Sequence, residues 1–166
     1  MSRMTQPVVP PSVSDAYVVH GQDGFVISDD SARIDVDVVH GYLTRSYWSP
    51  GITRALVEKG LRNSLLFGVY GADGAQVGYA RVITDRMSFA YLCDVFILET
   101  QQGKGLGKWL METVFAHPDL QGLRRFLLAT RDAHGLYAQY GFTPLKNPDR
   151  FMERHDPDVY LTASKV

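Results

Sequence analysis

The stretch Asp94–Leu110, DVFILETQQGKGLGKWL, decides how the chain is read. Asp94–Leu98 reads as a strand and Glu99–Gln102 as a short polar turn. Gly103, Gly105 and Gly107 then fall at every second position before a helix begins. Glycines at a strand-to-helix junction remove the Cβ atoms that would keep backbone N–H groups from turning towards one anion. The first helical turn adds its own unpaired N–H groups and the positive end of its dipole, so a phosphate or pyrophosphate fits.

Two common phosphate-binding patterns do not match. A dinucleotide fingerprint wants G-x-G-x-x-G after the first strand, whereas this spacing is G-x-G-x-G and late in the chain. A P-loop wants Gly-Lys followed by Ser or Thr, but Trp109 follows Lys108 and Gln102 stands where the first glycine belongs. A glycine-rich turn with no ligand remains the alternative on the local pattern.

Composition narrows the classes. With 166 residues and 45% hydrophobic side chains, the chain can bury one good core. A net charge of −1 gives no electrostatic footprint for nucleic acid or an anionic membrane. The single cysteine, Cys93, rules out an internal disulfide framework and suits a reducing compartment. The five histidines share no ligand spacing, so no metal site is expected. No stretch has the length or apolarity of a membrane span or signal sequence, and a cytoplasmic protein is expected.

Taken in order, residues 1–16 are rich in Pro, Ser and Thr and read as a flexible arm before a single domain over 17–166. Phe25–Ser28 is a short strand. Asp30 or Ser31 is placed to cap a helix whose apolar face is Ile34, Val38, Val39 and Leu43. A second helix over about 52–63 carries Ile52, Leu56, Val57 and Leu61 on one side. Leu65–Tyr70 and Gln76–Thr84 form a hairpin through Gly71-Ala72-Asp73-Gly74, and Phe89–Leu98 is the third antiparallel strand. The glycine-led helix runs to Ala116, where His117-Pro118 stops it. Arg125–Ala129 reads as a buried strand, parallel to its neighbour across a right-handed crossover. A short helix over Gly135–Tyr140 and a final strand or strands from Phe142 to about Glu153 follow, and the tail stays ambiguous. The whole is a mixed α/β fold: a mostly antiparallel twisted sheet with one parallel pairing, flanked by about four helices.

Gln102-Gly103-Lys104-Gly105-Leu106-Gly107 resembles the Q/R-x-x-G-x-G/A motif of the GNAT-type N-acetyltransferases, which hold the pyrophosphate of acetyl-coenzyme A in this way. Leu136-Tyr137-Ala138-Gln139-Tyr140-Gly141-Phe142 resembles that family's later L-Y-x-x-x-G-F signature, about 30 residues on. The resemblance implies a GNAT-like fold with acetyl-coenzyme A as co-substrate. It implies that Phe96, Ile97 and Leu98 pair with the pantetheine arm as an added strand would. Gln102, Gly103, Lys104, Gly105, Leu106, Gly107 and Lys108 would surround the pyrophosphate. Thr130 stands where the family often has asparagine.

Acetyl transfer to an amine needs a held donor, a free amine, a stabilised oxyanion and a protonated leaving thiolate. By resemblance Tyr137 hands the proton to the thiolate; the other reading is a core tyrosine with a satisfied hydroxyl. Asp94 shares parity with Phe96 and Leu98 and is a candidate base, or else a buried carboxylate held by backbone or by an arginine such as Arg81. Asp85 is a second candidate beside the acceptor. Glu99 reads as a solvated turn residue and His134 as a structural one. Alternation puts Cys93 on the face opposite Asp94, against a covalent cysteine mechanism. Tyr42, Tyr47 and Trp48 are the aromatic group available to an acceptor pocket, or else a cap on the core.

The resulting expectation is transfer of acetyl from acetyl-coenzyme A to a primary amine, a small molecule or a protein lysine, within a ternary complex. A homodimer is compatible with the family. The alternative is a non-catalytic acyl-coenzyme A-binding or sensing module.

Overall fold

The computed structural model describes residues 15–162. Eleven regular elements follow one another: β1 (Val18–His20), β2 (Val26–Ser28), α1 (Val36–Leu43), α2 (Arg54–Arg62), β3 (Leu65–Tyr70), β4 (Gln76–Thr84), β5 (Phe89–Ile97), α3 (Leu106–Ala116), β6 (Arg125–Leu128), α4 (His134–Ala138) and α5 (Val159–Thr162). The six strands make one sheet in sequence order, antiparallel from β1 to β5, with β6 parallel to β5. The expected mixed fold with its one parallel pairing is what the chain adopts.

Strand alternation divides the core in two. Leu65, Phe67 and Val69 meet Leu106, Leu110, Met111 and Val114 of α3 on one face. Leu66, Tyr79 and Phe96 meet Val39 and Leu43 of α1, Val57 of α2 and Ile52 between these helices on the other. The β3–β4 hairpin closes as its glycines predict, with Gly71 N–H donating to Ala75 O at 2.9 Å. His117, buried just after α3, is tied to Asp29 at 3.0 Å, which anchors that helix end to the segment leaving β2.

Several expectations need correction. α1 is capped by Asp35, whose carboxylate accepts from the N–H groups of Asp37 and Val38; Asp30 caps only the single 3-10 turn Ser31–Arg33. In α2, Val57 and Leu61 pack inwards, but Leu56 is exposed. β1 is an additional strand, too short to show a period. β6 is the sheet's edge and only half-buried, not an interior strand. No strand forms between Phe142 and Glu153: Pro144 and Pro148 lack amide donors, and Pro148–Arg150 makes a 3-10 turn instead. A groove of about 1200 Å³ is left between β6, α4 and this segment. The arm expected over residues 1–16 lies outside the described residues up to position 14. Among the described residues no helix is long and apolar enough to cross a membrane.

Candidate active site

One irregularity in β5 shapes the site. The ladder to β4 pairs Tyr79 with Phe96 but Arg81 with Cys93, so β5 carries one residue more than β4 between these pairs. Asp94 absorbs the excess in a left-handed conformation, φ 53°. The pairing of β5 with β6 ends at Leu92 and Leu128, immediately before the bulge. Beyond it β6 has ended and β5 runs on to Ile97 with one edge unpaired among the described residues; the space beside this free edge is the wedge.

The bulge also changes which side chains share a face. Cys93 pairs with Arg81, and the Arg81 side chain bonds Asp94, so Cys93 and Asp94 lie on the same face. The expectation that alternation separates them is therefore corrected, because alternation fails across an extra residue. Burial pushes the Cys93 thiol up to about 12, which keeps it an unreactive neutral group.

The free edge of β5 is read from one hydrogen bond. Leu98 N–H donates to Val77 O at 2.8 Å, towards β4. Antiparallel alternation then sends the amide of Phe96 to β4 as well and turns those of Val95 and Ile97 to the wedge. Of the three residues expected to face a pantetheine, Ile97 thus turns its amide to the free edge, whereas Phe96 and Leu98 turn theirs to β4. Val95 joins it, missed because the strand's hydrogen-bonding direction is invisible in sequence. Phe96 instead buries its ring in a parallel stack on Tyr42, centroids 4.0 Å apart.

At the end of the wedge the chain makes a 3-10 turn at Glu99–Gln101, and Gln102 folds back so that its Nε2 donates to Ile97 O at 3.1 Å. Gly103 and Gly105 take left-handed φ of 81° and 77°, which a side chain would strain. The first α3 amide with a backbone acceptor is that of Trp109, bonded to Gly105 O at 3.1 Å; among the described residues the amides of Gly103 to Lys108 have none. Six successive N–H groups, ending in the first turn of an eleven-residue helix, are therefore without a partner. Leu106 contributes only backbone, since its side chain is in the core. Lys104 bonds Gln101 Oε1 at 2.8 Å and lies 5.7 Å from the Phe25 ring centre, beside the loop. Lys108 is exposed on the first turn.

The remaining candidates fall into two groups. Asp94 accepts from Trp48 Nε1 at 3.0 Å through one oxygen and from Arg81 Nε at 2.7 Å through the other. Tyr137, in α4 just after β6, is half-buried; burial first, and then Tyr47 nearby, raise its phenol above the usual range. Its hydroxyl has no hydrogen-bond partner among the described residues and is not sealed off. Thr130 Oγ1 accepts from Ala133 N–H at 3.0 Å, which turns the chain into α4 and leaves the hydroxyl proton to donate.

Asp85 belongs to neither group. Its carboxylate accepts from Ser88 Oγ and from the amides of Met87, Ser88 and Phe89, clamping the β4–β5 turn and holding its acid well below the usual range. It lies four residues along β4 from Arg81, roughly 13 Å from the Asp94 level. Glu99 is exposed, as expected of a turn residue, and also accepts from Arg45 at 2.6 and 3.2 Å, a bond that holds its carboxyl down at about 2. Arg45 also covers the Tyr42 ring at 4.7 Å. Arg45 and Arg131, both outside the recognised motifs, are functional-site neighbours that only the tertiary structure brings into view. Among the described residues no group of three or more potential metal ligands occurs.

Residues 63–144 match the family described as the acetyltransferase (GNAT) domain. A Gibberella zeae protein with a provisional acetyltransferase name is 31% identical over 137 residues, covering 69% of this chain and 76% of that protein. A crystal structure from Xanthomonas campestris pv. campestris, provisionally assigned as a GNAT-family acetyltransferase, is 50% identical. It covers 84% of this chain and 99% of its own, with a TM-score of 0.81. A GNAT acetyltransferase from Elizabethkingia anophelis, solved with acetyl-coenzyme A bound, shares the fold at 16% identity, TM-score 0.57, covering 80% of this chain and 88% of that one. The glycine turn, the wedge beside a bulged strand and these likenesses lead to one conclusion: the chain belongs to the GNAT acetyltransferase family.

Proposed function

We propose that the protein transfers acetyl from acetyl-coenzyme A to a primary amine held in the wedge. The carrying observation is the set of unpartnered amides over Gly103–Lys108 at the end of a strand edge that is itself free. A diphosphate matches the first, and the amide-rich pantetheine arm matches the second. Lys104 and Lys108 add positive charge beside the phosphates. The structural relative with acetyl-coenzyme A bound supports the same donor.

Within this reading each side chain has a separate task. The Val95 and Ile97 amides fix the arm, and an N–H of this edge polarises the thioester carbonyl. As the amine nitrogen bonds to the acetyl carbon and the C–S bond breaks, Tyr137 gives its phenolic proton to the sulfur. The proton lost by the nitrogen passes to water, which restores the phenol. Asp94, with both oxygens engaged, acts by positioning Trp48 and fixing the bulge, not by taking that proton directly. Tyr42 supports Phe96 from behind the strand, and Trp48 borders the acceptor.

The test is thiol release from acetyl-coenzyme A over an amine panel, wild type against Tyr137→Phe. Release that depends on amine and on Tyr137 supports the proposal. Tight binding of coenzyme A with no release from any amine would replace it with the acyl-coenzyme A-binding module.

A further inference from the structure

The loop after α1 and the loop leaving β6 meet across the mouth of the wedge. The Arg131 guanidinium carbon stands 4.1 Å from the centre of the Tyr47 ring. Tyr47 meets Trp48 edge-on, with centroids 5.0 Å apart, and Trp48 is held by Asp94. The Tyr47 phenol is also close enough to Tyr137 to bear on its ionisation. Arg131 is thus one side chain removed from the proposed proton donor, at the sulfur end of the wedge.

Asp94 is already paired with Arg81. Arg131 is exposed and has no carboxylate within ion-pair distance among the described residues. Resting on a ring orders a guanidinium without using its five N–H donors, which stay in its own plane. Such a fork is shaped for two oxygens of one anionic group. A single guanidinium with no ion-pair partner matches a monoanionic carboxylate better than a phosphate dianion.

We propose that Arg131, held over Tyr47, recognises a carboxylate on the acceptor, so that the substrate is a small amino acid or amino-acid-like amine. This inference rests on the acetyl-transfer reading of the same wedge and adds the chemical class of the acceptor. Tyr47 serves as the positioning residue, and Arg131 itself touches the substrate.

The experiment measures thiol release from acetyl-coenzyme A with L-amino acids and ω-amino acids, each set against its own carboxamide. Wild type is expected to favour the acids. Arg131→Gln is expected to lower the acid-to-carboxamide ratio of kcat/KM by about 10- to 100-fold, carried mainly in KM, as befits a lost charged hydrogen bond. Arg131→Lys should restore part of the ratio, because a point charge lacks the fork. Equal use of acids and carboxamides by wild type, or an equal fall for both in Arg131→Gln, would overturn the assignment while leaving acetyl transfer intact. A fall in coenzyme A affinity on calorimetry, with the ratio unmoved, would assign Arg131 to the donor and also overturn it. Absence of release with every amine would remove the transferase reading, and this inference with it.

Discussion

Trp48 Nε1 donates to Asp94 Oδ1 at 3.0 Å, joining the loop after α1 to the one residue of β5 that lies in a left-handed conformation. The other carboxylate oxygen faces Arg81, whose Nη1 continues to Ser64 Oγ at 3.2 Å. A single carboxylate therefore links the bulge, the neighbouring strand and the loop after α1. Its side chain is 9% exposed and that of Arg81 22%, so water screens the pair weakly.

Removing Asp94 should consequently cost stability as well as activity. Asp94→Ala leaves the Arg81 charge without its partner, at about 3 kcal/mol on the scale of broken buried pairs. Denaturant unfolding measures this, and Trp48 fluorescence should shift as the indole loses its acceptor. Arg81→Met added to Asp94→Ala should recover much of the loss. An unfolding midpoint unchanged in Asp94→Ala would contradict the account.

Gly105→Glu should abolish coenzyme A binding without unfolding the protein. The left-handed φ of 77° costs a non-glycine residue about 1–2 kcal/mol, which a domain of this size tolerates. A carboxylate beside the cradle opposes a diphosphate, and a loss of affinity of at least about a hundredfold is expected, near 2.7 kcal/mol. Calorimetry reads the affinity and circular dichroism the fold; retained affinity would show that the phosphates bind elsewhere.

Tyr137→Phe should reduce kcat by about 10²–10⁴-fold and leave the coenzyme's dissociation constant nearly unchanged. The pH profile follows from the phenol's raised pKa, caused first by burial. The neutral phenol is the competent acid, and raising its pKa prolongs that form above the usual value of about 10. Activity should therefore climb as the amine deprotonates, with no alkaline decline below about pH 10. A decline beginning near neutrality would point to a different proton donor.

The Arg45–Glu99 pair should make the turn before the glycines sensitive to acid. Glu99 is held at about 2, below its ordinary 4.5, first by its hydrogen bond to Arg45. A depressed carboxylate contributes stability above its unfolded pKa and loses it as pH falls through the folded one, so the window lies between about 4.5 and 2. Both side chains are solvent-exposed, which keeps the effect small and salt-dependent. Glu99→Gln should remove this step from the acid titration of amide exchange at residues 99–103, and an identical titration would exclude the pair as its source.

Much of the fold was legible because local chemistry and tertiary demand agree. Glycine and aspartate at Gly71–Gly74 with alternating flanks specify the β3–β4 hairpin to its observed ends. The glycines before α3 and His117-Pro118 after it bracket that helix. Legibility failed where distant partners decide. Asp35 outcompetes Asp30 as the α1 cap while its own amide bonds Gln76, a partner 41 residues away. Asp85 looked available because its turn contacts, Ser88 and the amides around it, depend on how β5 returns. Cys93 was misplaced for a similar reason: a bulge is a property of two strands, and one strand's alternation cannot announce it. Arg131 meeting Tyr47 spans most of the domain and leaves no mark at either position.

The extra residue in β5 has a consequence for how such a slot could arise or be erased. Shortening the strand by one position at Asp94 would restore strict pleating and bring the free end of β5 back into line with the part that β6 already pairs. Lengthening by one residue thus turns a strand edge free within a continuous sheet while the hydrophobic layers above and below stay as they are.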